Sequence, residues 1–168
     1  MNTKGLIILT SVCLLLISVP AGAIDSKAWI TSLPDRVGRM QPSAKADAMN
    51  MESGDQRWSV VHQGYASDKS EKHVDLTLVG GQGAPQITSF QMMSSMKVET
   101  EEQIIKPVTI SKYKGLLNLG PKDKRGTLMI RLGEDMIAII EVAPITKETE
   151  IITLAEQLPL DQFAAQAK

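Results

Sequence analysis

Cysteine, aromatic side chains and net charge are all scarce in this chain. Its 168 residues hold a single cysteine, Cys13, inside an apolar run. A disulfide framework and a thiolate metal site are thereby excluded. Aromatics make up 4% of the residues, too few for a base-stacking surface or an aromatic sugar platform. The 18 basic side chains nearly balance the 19 acidic ones. That balance argues against nucleic-acid binding, which usually needs a basic excess, and against a polybasic membrane-surface protein. No internal repeat and no low-complexity linker interrupts the sequence. What remains is 43% hydrophobic and 22% charged, the composition of an ordinary folded domain.

The first 23 residues read as a secretory signal. Lys4 is the only charge before Asp25, Gly5 to Val19 is apolar, Pro20 breaks the run, and Ala21-Gly22-Ala23 supplies small residues for cleavage. The apolar run is shorter than the roughly 20 residues a spanning helix needs. A lipoprotein signal fails because Cys13 follows Val12 within the run. A type IV pilin leader shares the Lys4-Gly5 start but needs Glu where Thr10 stands. Cleavage after Ala23 is expected, leaving 24–168 as one exported domain, periplasmic or extracellular, with no transmembrane span. It also removes Cys13, so the mature chain must rely on its own core. A chain of that size can bury close to ~70% of its surface.

Periodicity predicts the elements. Ala28 to Pro34 is expected as a short helix or turn, and the Ser-, Ala- and Asp-rich stretch 41–55 as a loop, making 24–55 partly irregular. Strands are expected near 57–65 and 72–79, joined by the polar turn Ala66 to Ser70. Gln86 to Val98 reads as a helix. Strands follow near 104–111, 116–119, 127–132 and 136–143. Ile151, Leu154, Ala155 and Leu158 recur at helical spacing, after Thr146 as an expected N-cap. The expected class is α+β: an antiparallel sheet of about five to six strands, helices on one face, and an amphipathic C-terminal helix.

This layout resembles small exported PsbP-like proteins. The resemblance lies in Leu33-Pro34 with Gly38, the hairpin near 57–65 and 72–79, and Val108-Thr109-Ile110 with Lys114-Gly115. Two more strands near 127–132 and 136–143 and the closing segment Ile151 to Leu158 complete it, over roughly residues 29–163. It implies an accessory or interaction role and transfers no catalytic residue.

Three constellations bear on chemistry. Met92, Met93 and Met96 form a thioether cluster, with Met49 and Met51 a second pair. Thioethers are soft ligands suited to Cu(I), and His62 or His73 would add an imidazole. The competing account makes these methionines flexible core filler. His62 and His73 are expected nearly opposite each other on adjacent strands, a start for a Zn²⁺ or acid–base site that lacks further ligands. With Ser67, Asp68 and Glu71 nearby, they supply hydrolase residue types without a nucleophile elbow. Lys112, Lys114, Lys122, Lys124 and Arg125 flank two turns and would form a docking patch if the turns converged, although charged turns usually just face water. Gly80-Gly81-Gln82-Gly83 matches neither dinucleotide nor P-loop patterns.

The sequence thus suggests an exported, non-enzymatic protein without a cofactor, acting on an envelope protein or a small ligand. The alternatives are a Cu(I) protein built on the methionines and, more weakly, a small hydrolase around His62, His73 and Asp68.

Overall fold

Alternating burial runs through most of the chain between residues 47 and 143, and one antiparallel sheet results. The computed structural model describes residues 26–167, so the expected leader lies outside the described residues. The strands are β1 (Gln41–Pro42), β2 (Asp47–Ser53), β3 (Gln56–Ser67), β4 (Ser70–Gly81), β5 (Val98–Glu99), β6 (Ile104–Ile110), β7 (Tyr113–Gly120), β8 (Arg125–Arg131) and β9 (Met136–Ala143). Four short helices accompany them: α1 (Ser26–Ile30), α2 (Pro85–Met93), α3 (Glu148–Glu156) and α4 (Leu160–Ala164). The sheet order is β1-β3-β4-β9-β8-β7-β6-β5, with β2 beside β1 along the same edge of β3.

This corrects the α+β expectation. Strand takes 47% of the described residues and helix only 20%, in nine strands rather than five or six. The helices also occupy both faces. Ile151 and Ala155 of α3, Leu160 and Phe163 of α4, and Trp29 of α1 join the main core with Leu76, Leu78, Leu128, Ile130 and Ile140. Helix α2 lies on the opposite face. There Ile87 meets Val60, Val79, Ile137 and Ile139, and Phe90 meets Ile105 and Leu116.

The miscount begins at residues 41–55, expected as a loop. Asp47–Ser53 pairs with β3 over its whole length. Its polar composition conceals it, because an edge strand with little burial needs few apolar residues. A two-residue Gly54-Asp55 loop joins it to β3. Gly54 sits at φ +60°, the conformation that primed hairpin turns require.

Helix α3 begins later than expected, with Lys147 at the N-cap. Thr146 does not accept from the helix. Its backbone N–H and its hydroxyl both donate to Glu150 Oε1 at 2.9 Å, and the Lys147 N–H donates to the same oxygen at 3.0 Å. The carboxylate thus reaches back over the first turn, where it also meets the positive end of the helix dipole.

Connectivity explains the unequal faces. From the end of β4 the chain must reach β5 at the far edge, then return through β6, β7 and β8 to lay β9 against β4. The α2 segment makes that crossing obliquely. It covers the sheet near Val79 and Ile137 and leaves open the corner near the β3–β4 and β7–β8 turns.

Candidate functional site

Two depressions among the described residues bring polar side chains together. The first lies on the corner that α2 leaves open. A cleft of about 230 Å³ is lined by His73, Asp75, Arg125, Thr127 and Glu141, with Gly126, Val142 and Ala143. Strand register creates the row: Asp75 pairs with Glu141, and Glu141 with Thr127. His62 Nε2 stands 3.1 Å from Asp75 Oδ1, both side chains being well exposed.

The second depression is larger, about 930 Å³, and lies on the side of the sheet that carries α3. Three segments distant in sequence build it. Gly38, Arg39, Met40 and Gln41 form one wall. Ala66 to Ser70 and Lys72, at the tip of the β3–β4 hairpin, form the second. Thr149, Glu150, Thr153 and Leu154 of α3 form the third. The walls hold their spacing through specific contacts. Val37 and Met40 are buried in the main core and bridge each other, which fixes the turn between them. Gly38 has φ +61°, and a Cβ there would come within 2.9 Å of Leu154 Cδ2. Only glycine lets the turn approach α3 so closely. Tyr65 anchors the same segment, its hydroxyl donating to the Pro34 carbonyl at 2.9 Å. Burial, with Asp35 nearby, pushes that hydroxyl up to about 12.

The groove has one internal ion pair. Lys72 donates to Glu150 Oε2, tying the hairpin to α3 across 78 residues of chain. The Lys72 ammonium, reinforced by the Thr146 and Lys147 donors, pulls the Glu150 carboxyl down to about 2. Glu150 is therefore ionised throughout the neutral range.

The residues singled out from the sequence are scattered. His62 and His73 share a face, but His62 pairs with Thr77 and His73 with Ala66. They lie four residues apart along the strand direction, about 13 Å at roughly 3.3 Å per residue. The irregularity at Ala66/Ser67 displaces the register from the one a symmetric turn implies. Ser67 and Asp68 line the groove, whereas His73 lines the cleft on the other face. The sheet thus separates the hydroxyl and imidazole that a hydrolase needs side by side. Glu71 is exposed at the start of β4.

The methionines behave differently from core filler. Met92 is 76% exposed and Met96 41%, while Met93 packs partly against Phe90 and Leu116. Met93 sits over β6 and β7, and His62 is on β3. Four strand spacings of roughly 4.8 Å separate β3 from β7 and three separate β4, which carries His73, from β7, about 19 and 14 Å, so neither histidine reaches a methionine site there. Met49 is exposed on β2 and Met51 packs beside Trp58. Among the described residues, no group of three or more His, Cys, Asp or Glu side chains is placed to hold a metal ion.

The five basic residues do not converge. Lys112 and Lys114 flank the turn before β7, while Lys122, Lys124 and Arg125 follow it. The length of β7, about 23 Å at roughly 3.3 Å per residue, holds the two groups apart. Lys112 pairs with Asp161 at 2.8 Å and lies 5.4 Å from the Tyr113 ring centroid. Its hydrogen bond to Asp161 raises the Lys112 ammonium and lowers the Asp161 carboxyl. Tyr113 donates to the same carboxylate at 2.6 Å. Lys122 pairs with Glu102 at 2.9 Å. Arg125 joins the cleft instead.

Arg39, Lys72 and Thr153 drew no attention in the sequence. Each is an ordinary surface residue type, and no local pattern announces that residues near 40, 70 and 150 meet. Among the described residues, no helix is long and apolar enough to cross a membrane. No family model matches the chain, and no similar curated protein or solved structure was found.

Proposed function

We propose that this is an exported, non-enzymatic binding protein whose site is the groove between the 38–41 turn, the β3–β4 hairpin tip and α3. The observation that carries the reading is the groove itself. Its volume of about 930 Å³ matches the scale of small-molecule sites, and its walls are fixed by buried anchors. Its lining offers groups suited to recognition: hydroxyls, an amide and charges. The leader-like residues 1–23 support export, and the resemblance to PsbP-like proteins supports an accessory role.

The test is a thermal-shift screen of the protein expressed from its full sequence, against neutral sugars, amines and organic anions. One ligand class is expected to raise the melting temperature, since a ligand bound only by the folded state at 100 times its Kd adds about 2.7 kcal/mol. Thr153→Trp, on the exposed face of α3, should abolish that shift by filling the groove. A shift that survives this substitution rejects the groove as the site, and no shift with any class rejects the reading.

A second reading rests on the exposure of Met92 and Met96. We propose that these thioethers, with Met93, take up Cu(I), the histidines playing no part. Competition against a chromogenic Cu(I) chelator should show one bound ion, lost in the Met92→Leu, Met93→Leu, Met96→Leu variant. Equal uptake by both proteins removes this reading.

A further inference from the structure

We infer that the groove takes a small organic oxyanion, a carboxylate or phosphate ester, held by Arg39 and Lys69. This rests on the groove being the binding site. The argument is one of charge left over. The lining carries three cations, Arg39, Lys69 and Lys72, against two acids, Asp68 and Glu150. Lys72 and Glu150 neutralise each other within the wall. Glu150 holds its charge because its carboxyl is so acidic, and the pair persists across the neutral range.

Arg39 and Lys69 are left against Asp68, an excess of one positive charge, with Arg39 in the turn before β1 and Lys69 at the hairpin tip. Neither side chain makes a hydrogen bond or ion pair to another described residue. Elsewhere on the surface Arg57, Lys106, Lys112 and Lys122 have carboxylate partners, whereas Arg36, Lys45, Lys97, Lys114 and Lys124 have none among the described residues; Arg39 and Lys69 differ from these in lining the groove. Unsatisfied cations beside a concave surface concentrate positive potential there and draw anions in. A guanidinium and an ammonium also provide the charge-assisted donors that carboxylate and phosphate oxygens accept most strongly.

The remaining lining defines the rest of the ligand. The hydroxyls of Ser70, Thr149 and Thr153 and the Gln41 amide offer neutral hydrogen bonds, and Asp68 accepts from a ligand hydroxyl. Ala66 and Leu154 supply apolar contact for a short carbon skeleton. An oxyanion on a small hydroxylated carbon frame satisfies all three kinds of wall.

The experiment measures binding of glycerol 3-phosphate, citrate and 3-hydroxybutyrate to the protein expressed from its full sequence, with glycerol as the neutral control. At least one anion should bind about tenfold or more tighter than glycerol. The exposed double variant Arg39→Gln, Lys69→Gln should weaken that anion about tenfold with an unchanged melting temperature, and Arg39→Lys, Lys69→Arg should retain most of the binding. Anion binding that ignores the neutralising variant overturns the inference, as does the absence of binding by every anion. Attachment to phosphatidylglycerol vesicles without binding of any soluble anion overturns the choice of a free solute. A neutral solute that binds and is blocked by Thr153→Trp keeps the groove as the site while removing the oxyanion. Failure of every solute, neutral and charged, removes both.

Discussion

The two faces of the sheet differ in a way that their strands do not foretell. On the side of α1, α3 and α4, Leu76, Leu78, Leu128, Ile130 and Ile140 lie at zero exposure beneath a continuous cover. On the other side the same strands alternate into Val79, Ile137 and Ile139 under α2, then into Asp75, Glu141 and Thr127 in the open. One face is sealed and the other is half sealed. The lesson is that coverage follows the route of the connections. Three helical segments stay on the first face, whereas the second has only the oblique α2 crossing.

The comparison breaks if the faces prove energetically equal. Leu76→Ala should cost most, about 3–4 kcal/mol, because the sealed core cannot collapse around the void. Ile87→Ala, under the smaller α2 cover, should cost about 2 kcal/mol, since water and local adjustment relieve part of the loss. Urea unfolding of both variants measures the gap, and equal midpoints would dissolve the contrast.

A third substitution sharpens it on the helical side. Glu150→Gln removes the anion that ties α3 to its own first turn and to Lys72, and should cost about 1 kcal/mol at neutral pH. The carboxyl is lowered in the folded state to about 2 from its ordinary 4.5. Its contribution is therefore complete above pH 4.5 and is lost as pH falls toward 2. Wild type and variant should differ at pH 7 and converge only as pH falls to about 2 in thermal melts. On the open corner, His62→Ala should change stability by no more than about 0.5 kcal/mol, because an exposed polar contact with Asp75 is worth little. A larger loss would mean that this corner is structurally loaded.

Much of the sheet was legible in the sequence. The alternation of Val74, Leu76 and Leu78 placed β4, and the doubly apolar run from Met136 to Ile140 placed the central strand β9. Helix α3 was legible from Ile151, Leu154, Ala155 and Leu158. Strand β2 was not, although Gly54-Asp55 marks its turn, because an edge strand exposes most of its side chains. The strand count and hence the fold class went wrong there and at β1 and β5, which are two residues long. The placement of α2 on the other face also escaped, since periodicity shows that a helix has an apolar side and not which face it covers.

Of the chemistry, the sequence supplied residue types and little else. It located both histidines on adjacent strands, but a register irregularity at Ala66/Ser67 decided that they stand apart. It marked Met92 and Met96, and the structure decided that both are exposed, Met92 on the side of α2 away from Ile87 and Phe90 and Met96 beyond the helix end. By itself the sequence determined the strand pattern, the want of cysteine chemistry and the near-neutral charge, because composition and period act through neighbours along the chain. Only the tertiary structure decided which depressions exist and what lines them. The groove joins residues near 40, 70 and 150, and the closure of loops that long leaves no local trace in the sequence.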